Sequence, residues 1–214
     1  MSAAVHRIGA GRFQVVVIIA SLGGLDAVSM VLAGLPASFP VPVLVAQHGR
    51  GSSDSGRLAR LLALRTALPV RTAVEASPFR QHGVTVVPTG WEATLDPDDR
   101  VVLSRCAAAR GGDVLLTAVA DRLGSAAIGV VLTGMQRDGA RGVQAVKRRG
   151  GRVLVQDPAT ARADGMPSAA IATGCIDFVL PAERIGPALV ALTMAPGGAE
   201  LLAVPTPAWA HLPA

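Results

Sequence analysis

The sequence predicts an α/β fold of three layers, in which helices cover both faces of a doubly wound, mostly parallel sheet with a β-hairpin insertion. Short apolar runs rich in β-branched residues, such as Val15-Val16-Val17-Ile18-Ile19, are typical of strands that are buried on both faces. Amphipathic segments of helical length separate these runs, which implies right-handed crossovers between parallel strands. In the middle of the chain, four short β-prone segments replace this alternation and predict the insertion.

Strands and helices alternate in the first third of the chain. The predicted elements are a strand over 14–20, a helix over 25–35, a strand over 42–47 and a helix over 53–64. Gly23-Gly24 ends the first strand, and Pro36 ends the first helix because proline cannot continue it.

After Pro69 the pattern changes to short strands, which are predicted over 70–74, 84–87, 92–95 and 101–103. We interpret these segments as hairpins in an antiparallel insertion or at a sheet edge, because turns rather than helices separate them. The alternation then resumes with helices over 114–123, 139–149, 167–173 and 181–192 and with strands over 126–132 and 152–156. The sequence therefore predicts one domain over residues 14–194, between flexible segments at 1–13 and 195–214.

The composition excludes several classes of protein. Of the 214 residues 50% are hydrophobic, which is too many for a disordered chain. The apolar run at residues 15–20 is far shorter than the roughly 20 residues of a membrane span, and no signal-peptide cleavage site closes it. Cys106 and Cys175 make neither a disulfide framework nor a zinc cluster. We therefore expect a cytoplasmic protein without membrane insertion.

The formal net charge of +5 does not predict a nucleic-acid partner. The basic residues are scattered along the chain, and only Lys147 is a lysine. Aromatic residues make up 3% of the chain and tyrosine is absent, so the stacking surfaces that bind single-stranded nucleic acids are missing. His6, His82 and His211 have no metal-ligand spacing with cysteines or carboxylates, so we expect no metal site and no cofactor.

Three polar residues follow predicted strands of the parallel sheet. Ser21 comes after the first strand, His48 after the second, and Asp138 in the loop after the strand over 126–132. Because ligands bind at the carboxyl edge of doubly wound sheets, we expect these side chains to share one site. A serine nucleophile needs a base to remove its proton, and the base needs an anion to orient it. The three residues therefore fit a catalytic triad.

Backbone N–H groups can complete such a site. Glycines after Ser21 allow a sharp turn into a helix, so that the amides of Leu22 and Gly23 can stabilise an oxyanion or bind substrate. The segment Thr133-Gly134-Met135 is a second source of donors, because its small central residue allows close approach.

Each member of this set also has a purely structural interpretation. Ser21 and Asp138 can each be the N-cap of the helix that follows, and His48 can be a strand-end histidine bonded to a backbone carbonyl. The chain order Ser, His, Asp differs from that of the α/β-hydrolases, and the first glycine of their G-x-S-x-G turn is missing before Ser21. These two differences argue against that superfamily.

Three longer stretches carry a family resemblance. They are V-V-V-I-I-A-S-L-G-G at 15–24, V-L-V-A-Q-H at 43–48 and V-L-T-G-M-Q-R-D-G-A at 131–140. Gln156-Asp157 and Gly165-Met166-Pro167 extend the match, which runs in consistent order over residues 14–185. In these motifs the sequence resembles the catalytic domain of the chemotaxis protein-glutamate methylesterases, the CheB family.

The resemblance implies an enzyme that hydrolyses glutamate methyl esters on chemoreceptors, with glutamine deamidation as a second activity. Carried over by position, it implies that Ser21 is the nucleophile, His48 the general base and Asp138 the residue that orients the base. The N–H of Met135 is the implied oxyanion donor. A methylated chemoreceptor or a similar protein is the implied substrate. A separate receiver protein is a further candidate partner, because residues 1–12 leave no room for the receiver domain of the family.

The chain departs from the family pattern beside the predicted site. Ile19 stands where the family has glycine, Leu22 where it has threonine, and Gly49-Arg50-Gly51 where it has Met-Pro-Pro. These departures keep open a second interpretation, a non-catalytic regulatory or docking domain of the same fold. A third is a phosphate- or nucleotide-binding module with residues 21–24 as its cradle, although no complete phosphate-binding motif is present.

Overall fold

A computed structural model describes residues 13–49, 56–105 and 110–198. Its main sheet contains β1 (Val15–Ala20), β2 (Val43–Gln47), β3 (Val70–Thr72), β4 (Val84–Val86), β7 (Ala127–Val131), β8 (Arg152–Gln156) and β9 (Phe178–Leu180). These seven strands are parallel and lie in the spatial order β3-β4-β2-β1-β7-β8-β9. Two further strands, β5 (Trp91–Leu95) and β6 (Val101–Arg105), pair as an antiparallel hairpin outside this sheet.

Helices cover both faces of the main sheet. They are α1 (Gly24–Ala33), α2 (Arg57–Ala63), α3 (Gly111–Leu123), α4 (Ala140–Arg148), α5 (Gly165–Ile171) and α6 (Ala182–Met194). The first two and α6 bury their apolar residues against one face, and α3, α4 and α5 against the other. Val16 and Ile18 of β1 point into the first core, and Val17 and Ile19 into the second. The three-layer prediction is therefore confirmed.

The sequence prediction is wrong for two of the four middle segments. It assigns residues 70–74 and 84–87 to hairpins, but β3 and β4 are parallel members of the main sheet. Between them Phe79 is fully buried in the core of the second face. The connection therefore crosses over the sheet without a helix, which the sequence pattern does not reveal. The hairpin prediction is confirmed for β5 and β6, whereas β9 is a strand that the sequence analysis misses.

The predicted terminal segments lie mostly outside the described residues. Phe13 is described and buried, and residues 195–198 are described as well. Segments 1–12 and 199–214 lie outside the described residues, as do residues 50–55 at the predicted start of the second helix. Among the helices that the structure describes, none is long and apolar enough to cross a bilayer.

A buried ion pair joins α4 to the loop before β9. The ammonium of Lys147 contacts the carboxylate of Asp177, and these side chains are only 2% and 0% exposed. The second oxygen of Asp177 accepts the backbone N–H of Val153 at 2.7 Å. Because both charged groups lie in the core, away from water, each charge is stabilised mainly by the other.

We expect Asp177→Ala to lower the free energy of unfolding by about 3–5 kcal/mol, because it leaves the Lys147 ammonium buried without a counter-charge. Urea denaturation followed by circular dichroism measures this loss. The control is Asp121→Ala, which removes the 2.7 Å partner of Arg149 in a pair whose side chains are 54% and 57% exposed. That variant should lose less than about 1 kcal/mol, and equal losses in the two variants would contradict the prediction.

Candidate active site

Ser21 and His48 lie side by side at the carboxyl edge of the sheet. Ala20, the last residue of β1, pairs with Gln47, the last residue of β2, so that the two polar residues follow at neighbouring positions. The backbone N–H of His48 donates to the carbonyl of Ala20 at 3.0 Å. On its other side, Ser21 donates its own N–H to the carbonyl of Thr133 at 2.9 Å. The ends of three adjacent strands therefore surround Ser21.

Asp138 reaches the same site from the loop before α4. Its Oδ2 lies 3.2 Å from Nε2 of His48, and its side chain is only 1% exposed. Two backbone N–H groups at the start of α3 also donate to this carboxylate, that of Gly112 to Oδ2 and that of Asp113 to Oδ1, both at 2.9 Å. A further backbone N–H, that of Gly111, donates to Nε2 of His48 at 3.1 Å. The structure thus brings Asp138 and the imidazole together over the N-terminus of a helix.

Opposing effects act on the charge of Asp138. Burial raises its pKa above the ordinary value, because a carboxylate is poorly solvated in the protein interior. The backbone N–H of Asp113 and the nearby His48 lower this pKa, since both favour the ionised form. The negative charge of Asp113 itself raises it. The carboxylate depends on its backbone donors to stay ionised beside the imidazole.

The structure does not support the interpretation of Ser21 and Asp138 as N-caps of the helices that follow them. The N-cap of α1 is Gly23, and no side chain caps that helix. The N-cap of α4 is Gly139, so Asp138 bonds to α3 instead of to the helix that follows it. Within the described part of the chain, the hydroxyl of Ser21 has no hydrogen-bond partner, which leaves it available to a ligand or to the imidazole.

Unpaired backbone N–H groups surround Ser21. The amides of Leu22, Gly23 and Met135 donate to no acceptor among the described residues. Leu22 and Met135 are 44% and 70% exposed, so both residues border the open side of the site. Groups of this kind can bind a negative charge that develops on a substrate oxygen.

Glycine is required at two positions beside Ser21, one in the turn after β1 and one in the segment after β7. Gly23 has a φ of 80°, in the left-handed region, and a β-carbon there would lie 2.8 Å from Cβ of Arg162. A β-carbon on Gly134 would lie 2.1 Å from Sδ of Met166 and 2.9 Å from Cβ of Ser21. The close packing of Gly134 on Ser21 holds the 133–135 segment against the candidate nucleophile.

Asp113 is a site residue that the sequence analysis misses. Its Oδ1 accepts the N–H groups of Gly139 and Gly142, at 2.9 and 2.8 Å, at the start of α4. Asp138 in turn accepts two N–H groups at the start of α3. The two aspartates therefore cap each other's helices, and a β-carbon on Gly112 would lie 2.4 Å from Oδ2 of Asp138. In the sequence the only signal is an aspartate after two glycines, because its partners lie 26 to 29 residues away.

We expect Asp113→Ala to lower the free energy of unfolding by about 1–2 kcal/mol, because two N–H groups at the start of α4 lose their acceptor. Asp113→Asn is the matched control, since its amide oxygen can still accept both bonds. The asparagine variant should also lower the pKa of Asp138, because a repulsive charge is removed. Urea denaturation and a carbon NMR titration of Asp138 measure the two effects. A stability loss as large in the asparagine variant as in the alanine variant would contradict the capping role.

The residues in the described ranges include no group of three or more His, Cys, Asp or Glu side chains that could hold a metal ion.

Of the departures from the family pattern, Ile19 is fully buried in the second core. Arg50 and Gly51 lie outside the described residues.

The fold and the site define a doubly wound α/β protein with a serine, a histidine and an aspartate at the carboxyl edge of its sheet. The family model for CheB methylesterase matches residues 16–189. The chain belongs to the CheB methylesterase family.

Relatives of known sequence or structure agree with this assignment. The protein-glutamate methylesterase FrzG of Myxococcus xanthus is 40% identical over 182 residues, which cover 83% of this chain and 54% of that protein. A relative from Leptospira interrogans is 32% identical over 189 residues, which cover 85% of this chain and 95% of the relative. The crystal structure of the Thermotoga maritima CheB methylesterase catalytic domain superposes with a TM-score of 0.77 at 31% identity, covering 85% of this chain and 99% of that one. The chain spans about half the length of several curated relatives that it matches, 54% for FrzG and 45% for a relative from Moorella thermoacetica.

Proposed function

We propose that residues 14–194 form a protein-glutamate methylesterase domain, which hydrolyses glutamate methyl esters on a chemoreceptor or a similar protein in the cytoplasm. One observation carries the proposal: the imidazole of His48, next to Ser21 along the sheet edge, lies 3.2 Å from the buried carboxylate of Asp138. The names of the relatives support the substrate class. FrzG is a protein-glutamate methylesterase, and several others are protein-glutamate methylesterases and protein-glutamine glutaminases.

The first chemical step is acyl transfer to Ser21. In the structure Nε2 of His48 accepts the Gly111 N–H and lies 3.2 Å from Asp138. The reaction needs the other tautomer, in which Nε2 carries a proton hydrogen-bonded to Asp138 in place of the Gly111 bond, so that Nδ1 is free to accept the serine proton. The serine oxygen attacks the ester carbonyl and Nδ1 takes its proton. The amides of Leu22, Gly23 and Met135 are the candidates that bind the resulting oxyanion.

The second step releases the products. His48 returns its proton to the methoxy oxygen, the C–O bond of the ester breaks, and methanol leaves an acyl-enzyme on Ser21. Water then attacks the acyl group while His48 accepts one proton, and Ser21 leaves with the proton restored. With a glutamine side chain the same sequence releases ammonia, so glutamine deamidation is a second activity of the same residues. No step requires a metal ion or an organic cofactor.

A serine-directed fluorophosphonate probe tests the proposal, together with methanol release from a methylated receptor. We expect the probe to label Ser21 in the wild-type protein, and labelling to be lost in His48→Ala because the base is missing. Mass spectrometry of the labelled peptide identifies the site. An unlabelled Ser21 together with no methanol release would leave the non-catalytic docking domain as the better interpretation. A receiver protein is a candidate regulator, and its effect on methanol release can be measured by adding it in trans.

A further inference from the structure

A pocket lined by three arginines and two aspartates opens beside the candidate triad. It has a volume of about 810 Å³ and lies between the starts of α3 and α4 and the end of α5. Three exposed arginines, Arg110, Arg137 and Arg141, line it. A second cavity of about 490 Å³ shares Arg110, Asp113 and Arg141 with the first, so the two adjoin along α3. We call the two cavities together the arginine groove.

The acidic side chains of the arginine groove already form hydrogen bonds or ion pairs within the protein. Asp138 and Asp113 each accept two backbone N–H groups, and Asp121 pairs with Arg149 at 2.7 Å. The arginines of the groove, unlike these aspartates, have side chains without such partners in the described part of the chain.

Within the described residues, the guanidinium groups of Arg110, Arg137 and Arg141 make no hydrogen bond and no ion pair. The groove therefore presents guanidinium groups that form no ion pair with its own carboxylates. Guanidinium groups in this position can bind carboxylates through paired N–H···O bonds.

The position of the arginine groove connects it to the candidate active site. Met135, whose amide is an oxyanion candidate, is separated by a single residue from Arg137 in the same exposed loop. Asp138 forms part of the wall of the groove and contacts His48 on its other side. A segment of protein that extends from Ser21 across residues 135–138 would therefore reach the arginine groove.

We propose that the arginine groove binds acidic side chains that flank the target glutamate ester on the protein substrate. The inference rests on the proposed function, since it concerns the substrate of that site. Hydrolysis of a glutamate ester creates a carboxylate, so a segment with several modified glutamates becomes more acidic as the reaction proceeds. Arginines beside the site would then hold a partly hydrolysed segment more tightly than a fully esterified one.

The test compares two fluorescent peptides that carry one glutamate methyl ester, flanked either by glutamates or by glutamines. Binding is measured by anisotropy with Ser21→Ala protein, so that the ester is not consumed. We expect this protein to bind the glutamate-flanked peptide about tenfold more tightly, and the preference to weaken as salt is added. Adding Arg137→Gln and Arg141→Gln should bring the ratio of the two affinities close to one. Adding Arg137→Lys and Arg141→Lys instead should keep most of the preference, because the charge remains.

The matched control is Arg184→Gln, which removes the same charge from an exposed residue of α6 on the opposite face of the sheet. It should leave the preference for the acidic peptide within twofold of the starting protein. An equal affinity for the two peptides before the arginines are changed, or an unchanged preference after they are changed, would overturn the inference. Because binding is measured without turnover, a wild-type protein that binds with this preference but releases no methanol would refute the proposed function and not the groove.

Discussion

Ser21→Ala is expected to lower the rate of methanol release from a methylated receptor by at least about 10⁴-fold, because no other group can form the acyl-enzyme. The stability of the variant should change by less than about 0.5 kcal/mol. This follows from the contacts of the side chain, since the Ser21 hydroxyl has no hydrogen-bond partner within the described part of the chain. A coupled assay for methanol measures the rate, and urea denaturation measures the stability.

Ser125→Ala is the matched control for this experiment. It removes a hydroxyl from an exposed residue between α3 and β7, at the opposite edge of the sheet from Ser21. Its activity should stay within twofold of wild type. If Ser21→Ala retains activity within a few-fold of wild type, the assignment of Ser21 as the nucleophile is wrong.

Asp138→Asn should lower the same rate by about 10⁴-fold, because an amide cannot hold His48 in the required tautomer. The structure also predicts a cost in stability, which distinguishes this variant from Ser21→Ala. Both carboxylate oxygens of Asp138 accept backbone N–H groups, from Gly112 and Asp113. The asparagine NH₂ group would face one of these donors, so we expect a loss of about 1–3 kcal/mol.

The pH profile gives a second measurement of Asp138. Burial raises its pKa, so the carboxylate takes up a proton at higher pH than an exposed aspartate would. Methanol release should therefore fall on the acid side of the pH profile as Asp138 becomes neutral. In Asp138→Asn, the part of this fall that protonation of Asp138 causes should be absent. Asp98→Asn is the control, because Asp98 is exposed in the turn between β5 and β6 and lines neither cavity of the arginine groove. An Asp138→Asn variant with normal stability and near-normal activity would show that Asp138 does not orient the base.

The sequence is sufficient to predict the parts of the site that depend on strand ends. The β-branched runs place β1 and β2 in the interior of the sheet, so Ser21 and His48 are expected at the same edge. Asp138, in the loop after the strand predicted over 126–132, is expected at that edge as well, and the family resemblance assigns it the same role. Strand ends can be predicted in this way because buried parallel strands have a distinctive composition and their ends lie together by geometry.

Other parts of the structure depend on contacts between distant residues. The direction of β4 is set by its pairing with β2 and β3, and a three-residue strand carries no sign of that direction in its own composition. Asp113 is similar, because its acceptor role depends on the N–H groups of Gly139 and Gly142. A single aspartate near a helix start has many possible partners, and only the packing of α3 against α4 selects these two.

The mutual capping of α3 and α4 links catalysis to the integrity of a helix pair. Asp113 of α3 caps the start of α4, and Asp138, just before α4, caps the start of α3. Fraying at either N-terminus therefore breaks the hydrogen bonds of both carboxylates. The imidazole would then lose its orienting anion while the rest of the sheet stayed folded. Inactivation on gentle heating should consequently begin with the separation of these two helices, before the hydrophobic layers come apart.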